Sequence, residues 1–107
     1  MTKSIERTYE SIANTLDFAL LKPNLTSQQL LKNLRLAEEY KVKSVCVMPC
    51  HVYRAERALA SSEVVIGTVI GFPLGASTYH VKRQEAIQAL GLGAEELDVV
   101  VVVAIAG

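Results

Sequence analysis

A chain of 107 residues has room for one domain with a modest core. Half of its residues are apolar and 21% are charged, a balance that argues for a globular chain and against disorder. Eleven basic residues offset eleven acidic ones, so no net field draws the chain to nucleic acid or to an anionic membrane surface.

Ser4 to Asn14 spaces Ile5, Tyr9 and Ile12 at helical intervals between charges and predicts a short leading helix. Its polar start, MTKSIERTYES, has no apolar stretch of the kind a signal peptide carries. Thr15 to Leu21 (TLDFALL) predicts a first strand, closed by Lys22-Pro23-Asn24. Thr26-Ser-Gln-Gln29 then fits a capping box, and Leu30, Leu31, Leu34 and Ala37 give the following helix, to about Tyr40, its buried stripe. Ser44 to Met48 is a second strand. Pro49 suits the first turn of a helix carrying Val52, Ala55 and Leu59 to about Ser61. Val64 to Phe72 is a third strand, and Ser77 or Thr78 caps a third helix that Gly91 and Gly93 help to end. Leu97 to Val103 is the fourth strand.

The order is a helix followed by βαβαβαβ, three successive crossover units that imply a parallel α/β sheet. An α/β barrel and an open doubly wound sheet both begin this way. A parallel strand needs two neighbours and both faces covered, and the fourth strand has no helix after it. The expectation is therefore one partial domain, residues 1–107, within a larger architecture. The apolar run from Val99 to Gly107 is far below the roughly 20 residues of a membrane helix. Cys46 and Cys50, four apart with a strand between them, are too far separated for a disulfide, which suits a reduced, cytoplasmic setting.

Reactive residues in parallel α/β proteins gather on the strands' C-terminal ends and the loops after them. Asp98 precedes five consecutive valines in a strand otherwise hostile to a carboxylate. It is either a functional acid or a strand-entry residue facing water. Asp17 poses the same question on the first strand, and two inward carboxylates there would suit general acid–base work or hold a lysine. Lys22 stands at the mouth of the first strand, where a lysine is either solvated or an amine nucleophile. Cys46 is most simply a small buried hydrophobe, and Thr68 sits mid-strand. Cys50 and His51 open a helix; with His80 isolated, no ligand spacing points to a metal. Gly71-Phe-Pro-Leu-Gly75 lacks the lysine and spacing of a phosphate loop.

Four motifs carry a resemblance. Leu16-Asp17-Phe-Ala-Leu-Leu-Lys22-Pro23 is similar to I-D-H-T-L-L-K-P, and Ser44-Val-Cys46-Val-Met-Pro49-Cys50 to S-V-C-V-N-P-C. Thr68 to Ala76 reads T-V-I-G-F-P-L-G-A without a change, and Gly93 to Val100 resembles G-A-D-E-I-D-M-V. Together, in order and across residues 12 to 101, they resemble the deoxyribose-phosphate aldolase family of class I aldolases. The resemblance implies the N-terminal half of a TIM (β/α)8 barrel. It implies reversible cleavage of 2-deoxyribose 5-phosphate to glyceraldehyde 3-phosphate and acetaldehyde through a lysine Schiff base, without a cofactor or metal. It assigns Asp98 to proton relay, Asp17 to the same network, Cys46 to the site, and Thr68 to a strand position facing the barrel interior. Lys22 is a further substrate-side candidate.

The family's Schiff-base and partner lysines lie on later strands, past Gly107. Phe18, Met48 and Val102 replace the family's His, Asn and Asn, which implies lost polar groups near the site. Two readings follow: an aldolase half that takes a small phosphorylated sugar once completed, or a non-catalytic half-barrel that self-associates. In the second, two copies supply the eight strands of a closed barrel, so a homodimer is expected.

Overall fold

A computed structural model describes residues 11–102. Residues 11–13 are helical, and the rest of the expected leading helix lies outside the described residues. Four strands follow: β1 (Asp17–Leu20), β2 (Ser44–Val47), β3 (Val65–Ile70) and β4 (Glu96–Val99). Helices α1 (Ser27–Glu39), α2 (Val52–Ala58) and α3 (Tyr79–Gly91) connect them, with a 3-10 turn at Pro49–His51 leading into α2. All three pairings are parallel, in the order β1-β2-β3-β4.

The helix ends follow from local chemistry. The Thr26 hydroxyl accepts the Gln29 N–H at 3.1 Å, and Gln29 Oε1 accepts the Thr26 N–H at 2.9 Å, so both halves of the capping box form. At the other end of α1, Lys41 takes φ 56°, and the Lys41 and Val42 amides donate to the Glu38 and Ala37 carbonyls. That is a Schellman ending with lysine where glycine is usual. Helix α3 ends the same way with Gly93 at φ 114°, its amide bonded to Leu90 and that of Ala94 to Ala89. Thr78 caps its start through the Val81 amide. Helix α2 stops three residues earlier than expected, because Ser62 turns back: its amide donates to Leu59 and its hydroxyl accepts the Val64 N–H at 3.1 Å.

The core lies between one face of the sheet and the helices. Leu30 and Leu34 of α1 and Val52 of α2 are fully buried against Val45 and Val47, with Leu20, Ile66 and Ile70 beside them. Each such leucine contributes roughly 1.5–3 kcal/mol on leaving water. Helix α3 is less well seated. Ala89 is its one buried residue, while Val81, Ile87 and Leu90 are exposed, because its apolar residues scatter around the helix rather than forming a stripe.

Strands β1, β3 and β4 are shorter than their apolar runs. Gly71 at φ 70° ends β3, and the chain turns through Phe72-Pro73, a cis peptide, to Gly75 at φ 67°. Past Val99 no ladder continues through Val102, although the Val100 amide still donates to Ile70.

Candidate active site

Register decides which side chains meet. Asp17 pairs with Ser44, Ala19 with Cys46, Cys46 with Gly67, Gly67 with Glu96, and Val69 with Asp98. Side chains alternate across a sheet, so these residues share the face that the helices leave open. Their neighbours Phe18, Val45, Val47, Ile66 and Leu97 turn to the helix side and pack on or in the core.

On the open face two hydrogen bonds tie the polar groups together. The Ser44 hydroxyl, buried at the start of β2, donates to Asp17 Oδ1. The Cys46 thiol donates to Asp98 Oδ2 at 3.7 Å. Burial pushes the Cys46 thiol up, and the Asp98 carboxylate, by charge and by hydrogen bond, pushes the same way, followed by Asp17 and Glu96; the pKa rises from 9.0 to about 11. Near neutrality Cys46 is therefore a protonated donor among carboxylates and a poor nucleophile. Three acids on two well-separated strands facing one side form a surface suited to taking up and releasing protons or to receiving a cationic group.

The structure brings Asp17, Cys46 and Asp98 to this face and sends Thr68 elsewhere. Thr68 is fully buried, and its hydroxyl donates to the Val47 carbonyl at 2.6 Å. Pairing with Val47 and Leu97 places it on the helix-covered side, so the expected interior-facing position is corrected by strand parity. By the same parity Phe18 packs on the core, on the face opposite Cys46 and Asp98. Lys22 is exposed in the loop after β1, its carbonyl accepting the Leu25 amide at 3.3 Å. Met48 is half-buried at the exit of β2.

Sequence reasoning missed Ser44 and Glu96. The signal was present in both cases, since each stands two residues before a chosen residue and so shares its face.

Among the described residues, no group of three or more His, Cys, Asp or Glu is placed to hold a metal ion. Two pockets, of about 420 and 820 Å³, lie towards the strands' N-terminal ends, the first lined by Leu16, Asp17, Phe18 and Tyr40, the second by residues of the α1–β2 and α2–β3 loops. Neither includes Cys46 or Asp98. No helix among the described residues is long and apolar enough to cross a membrane.

No protein-family model matches the chain. Curated relatives do: deoxyribose-phosphate aldolase of Clostridium kluyveri is 44% identical over 92 residues, which is 86% of this chain and 42% of that protein. The enzyme of the same name from Caldanaerobacter subterraneus is 43% identical over 95 residues, 89% of this chain and 41% of its own length. Over most of its length the chain is similar to deoxyribose-phosphate aldolases. It spans about two fifths of the length of these relatives. A solved deoxyribose-phosphate aldolase from Aeropyrum pernix, described as tetrameric, superposes with a TM-score of 0.83 at 31% identity, covering 94% of this chain and 44% of that one. The four parallel strands and their helices thus match part of a TIM-barrel aldolase fold.

Proposed function

We propose that this stretch supplies the acid–base side of an aldolase site acting on 2-deoxyribose 5-phosphate. A lysine from outside these 107 residues condenses with the sugar's aldehyde carbon, losing water and forming an iminium. The adjacent carbon–carbon bond then breaks as the β-hydroxyl gives up its proton. The bonding pair moves onto the former carbonyl's neighbouring carbon, giving the enamine of acetaldehyde and free glyceraldehyde 3-phosphate. Asp98 relays protons, Asp17 belongs to the same network through Ser44, and Cys46 holds Asp98. The single observation that supports this most is the Cys46–Asp98 contact on the open face, seen together with the family match. A cytoplasmic setting suits two free thiols.

Borohydride trapping with deoxyribose 5-phosphate, read by intact mass and peptide mapping, tests the division of labour. The chain alone should give no reduced adduct. An adduct mapped to Lys22 or any other lysine of residues 1–107 would overturn it.

That β1 and β4 have no outer neighbour among the described residues favours a second reading, a non-catalytic half-barrel that pairs with its own copy to complete eight strands. A monodisperse monomer by light scattering at micromolar concentration would sink that reading.

A further inference from the structure

Cys46 and Asp98 lie on strands that are not neighbours. Strand β3 runs between β2 and β4, which places their backbones about 10 Å apart. Yet Sγ and Oδ2 stand 3.7 Å from each other. On the open face of β3 the two positions beside this path are Gly67, level with Cys46, and Val69, level with Asp98, so the half nearest the thiol carries a glycine. Glycine weakens a strand interior, and one kept there often marks a close approach over the backbone. Gly67 needs no left-handed φ, and an added Cβ would meet Glu96 Cβ and O at 3.5 Å and Val45 O at 3.6 Å. Those are ordinary contacts, so neither conformation nor crowding explains the glycine.

We propose that Gly67 is a positioning residue: by leaving β3 bare level with Cys46, it lets the thiol reach across to Asp98 and hold that carboxylate over the open face. A Cβ at 67 has Glu96 and Val45 as its nearest neighbours, so it is the branches beyond it that compete with the thiol for the space it crosses and push sulfur and oxygen apart. Asp17, on the far strand of the same face, is held separately by Ser44. Glu96, on the same row as Gly67, is the remaining charged group facing the thiol. Cys46 accordingly acts as a hydrogen-bond donor, a role that demands a bare neighbour.

The test is a cycle on the chain carrying Cys50→Ser, so that Cys46 is its one thiol. Iodoacetamide alkylation of Cys46 is followed by mass from pH 7 to 11.5, with and without Asp98→Asn, in the Gly67 background and in Gly67→Val. With glycine at 67, Asp98→Asn shifts the alkylation profile to lower pH. With Gly67→Val, that shift falls by at least half. An equal shift in both backgrounds overturns the proposal.

Should circular dichroism show that Gly67→Val does not fold, Gly67→Thr, also branched at Cβ, replaces it, and an Asp98→Asn shift undiminished in it overturns the proposal too. The link from a held carboxylate to turnover rests on the aldolase reading, whereas the alkylation profile does not. Loss of coupling in a protein without aldolase activity would keep the positioning role and discard only that reading.

Discussion

Two glycine-to-alanine substitutions in this chain have opposite consequences, and the difference can be worked from geometry. Gly75 ends the turn after β3 with φ 67°, and a Cβ built there meets the Val100 carbonyl oxygen at 2.8 Å and its carbon at 2.9 Å. Left-handed backbone costs alanine about 1–2 kcal/mol. Displacing a backbone carbonyl, which cannot swing aside as a side chain does, adds about 1–3 kcal/mol. Gly75→Ala should therefore destabilise by roughly 2–5 kcal/mol and lower Tm by on the order of 10–20 °C for a chain of this size. Gly91 is the last residue of α3, and nothing lies within 4 Å of an added Cβ. Gly91→Ala should stabilise by about 0.5–1 kcal/mol, through helix propensity and a less flexible unfolded chain. Thermal and urea unfolding followed by circular dichroism, under one buffer, reads both. A Gly75→Ala protein within about 0.5 kcal/mol of the parent, or two substitutions moving stability the same way, would refute the reasoning.

Other expectations can be checked in the same assay. Leu34→Ala empties a fully buried site between α1 and the sheet and should cost about 3–5 kcal/mol; a loss under 1 kcal/mol would mean that the helix is not seated as described. Lys41→Gly relieves a left-handed lysine in the α1 ending and should raise stability by about 1 kcal/mol, seen as a higher urea midpoint at constant slope. Because the thiol of Cys46 titrates at 9.0 when free and at about 11 when folded, the unfolded chain releases its proton first. Its contribution to stability is thus complete below pH 9 and declines as pH rises towards 11. Urea midpoints at pH 8, 9.5 and 11 should show that decline, and Cys46→Ala should flatten it.

The element order was legible because it is written in local chemistry. Thr26 with Gln29, Thr78, and Gly93 each carry a cap that works without knowing the tertiary structure, and each forms. Strand lengths were less legible. VVIGTVIGF is apolar from Val64 to Phe72, but the ladder stops at Ile70 because Gly71 leaves the extended region, and composition alone does not say which glycine will do so. The valines after Asp98 mislead for a related reason: an apolar run does not say where hydrogen bonding to β3 ends, and Val99, Val101 and Val102 are exposed.

The site splits along the same line. Asp17, Cys46 and Asp98 could each be picked out as polar or reactive groups in apolar strands. Thr68 was chosen by its motif, and a motif does not carry parity between strands. Only the pairing of Cys46 with Gly67 shows that Thr68 faces the helices. Phe18 needed less, since it follows Asp17 and alternation alone sends it to the core. Gly67 drew no attention as a residue without a functional group, and its meaning emerges only when the groups on either side are seen to touch.

The alternation that puts Leu20, Val45, Val47, Ile66 and Ile70 behind the sheet and Asp17, Cys46 and Asp98 in front of it has a consequence for how this segment can change. What keeps the segment folded and what equips it for chemistry occupy alternate letters of the same four words. Mutational drift or a combinatorial library confined to one set of letters leaves the other nearly untouched. New reactivity can therefore be explored at the exposed positions of the front, leaving the buried Ser44 and Val69 in place, and the back can be hardened against heat without rewriting what the front does.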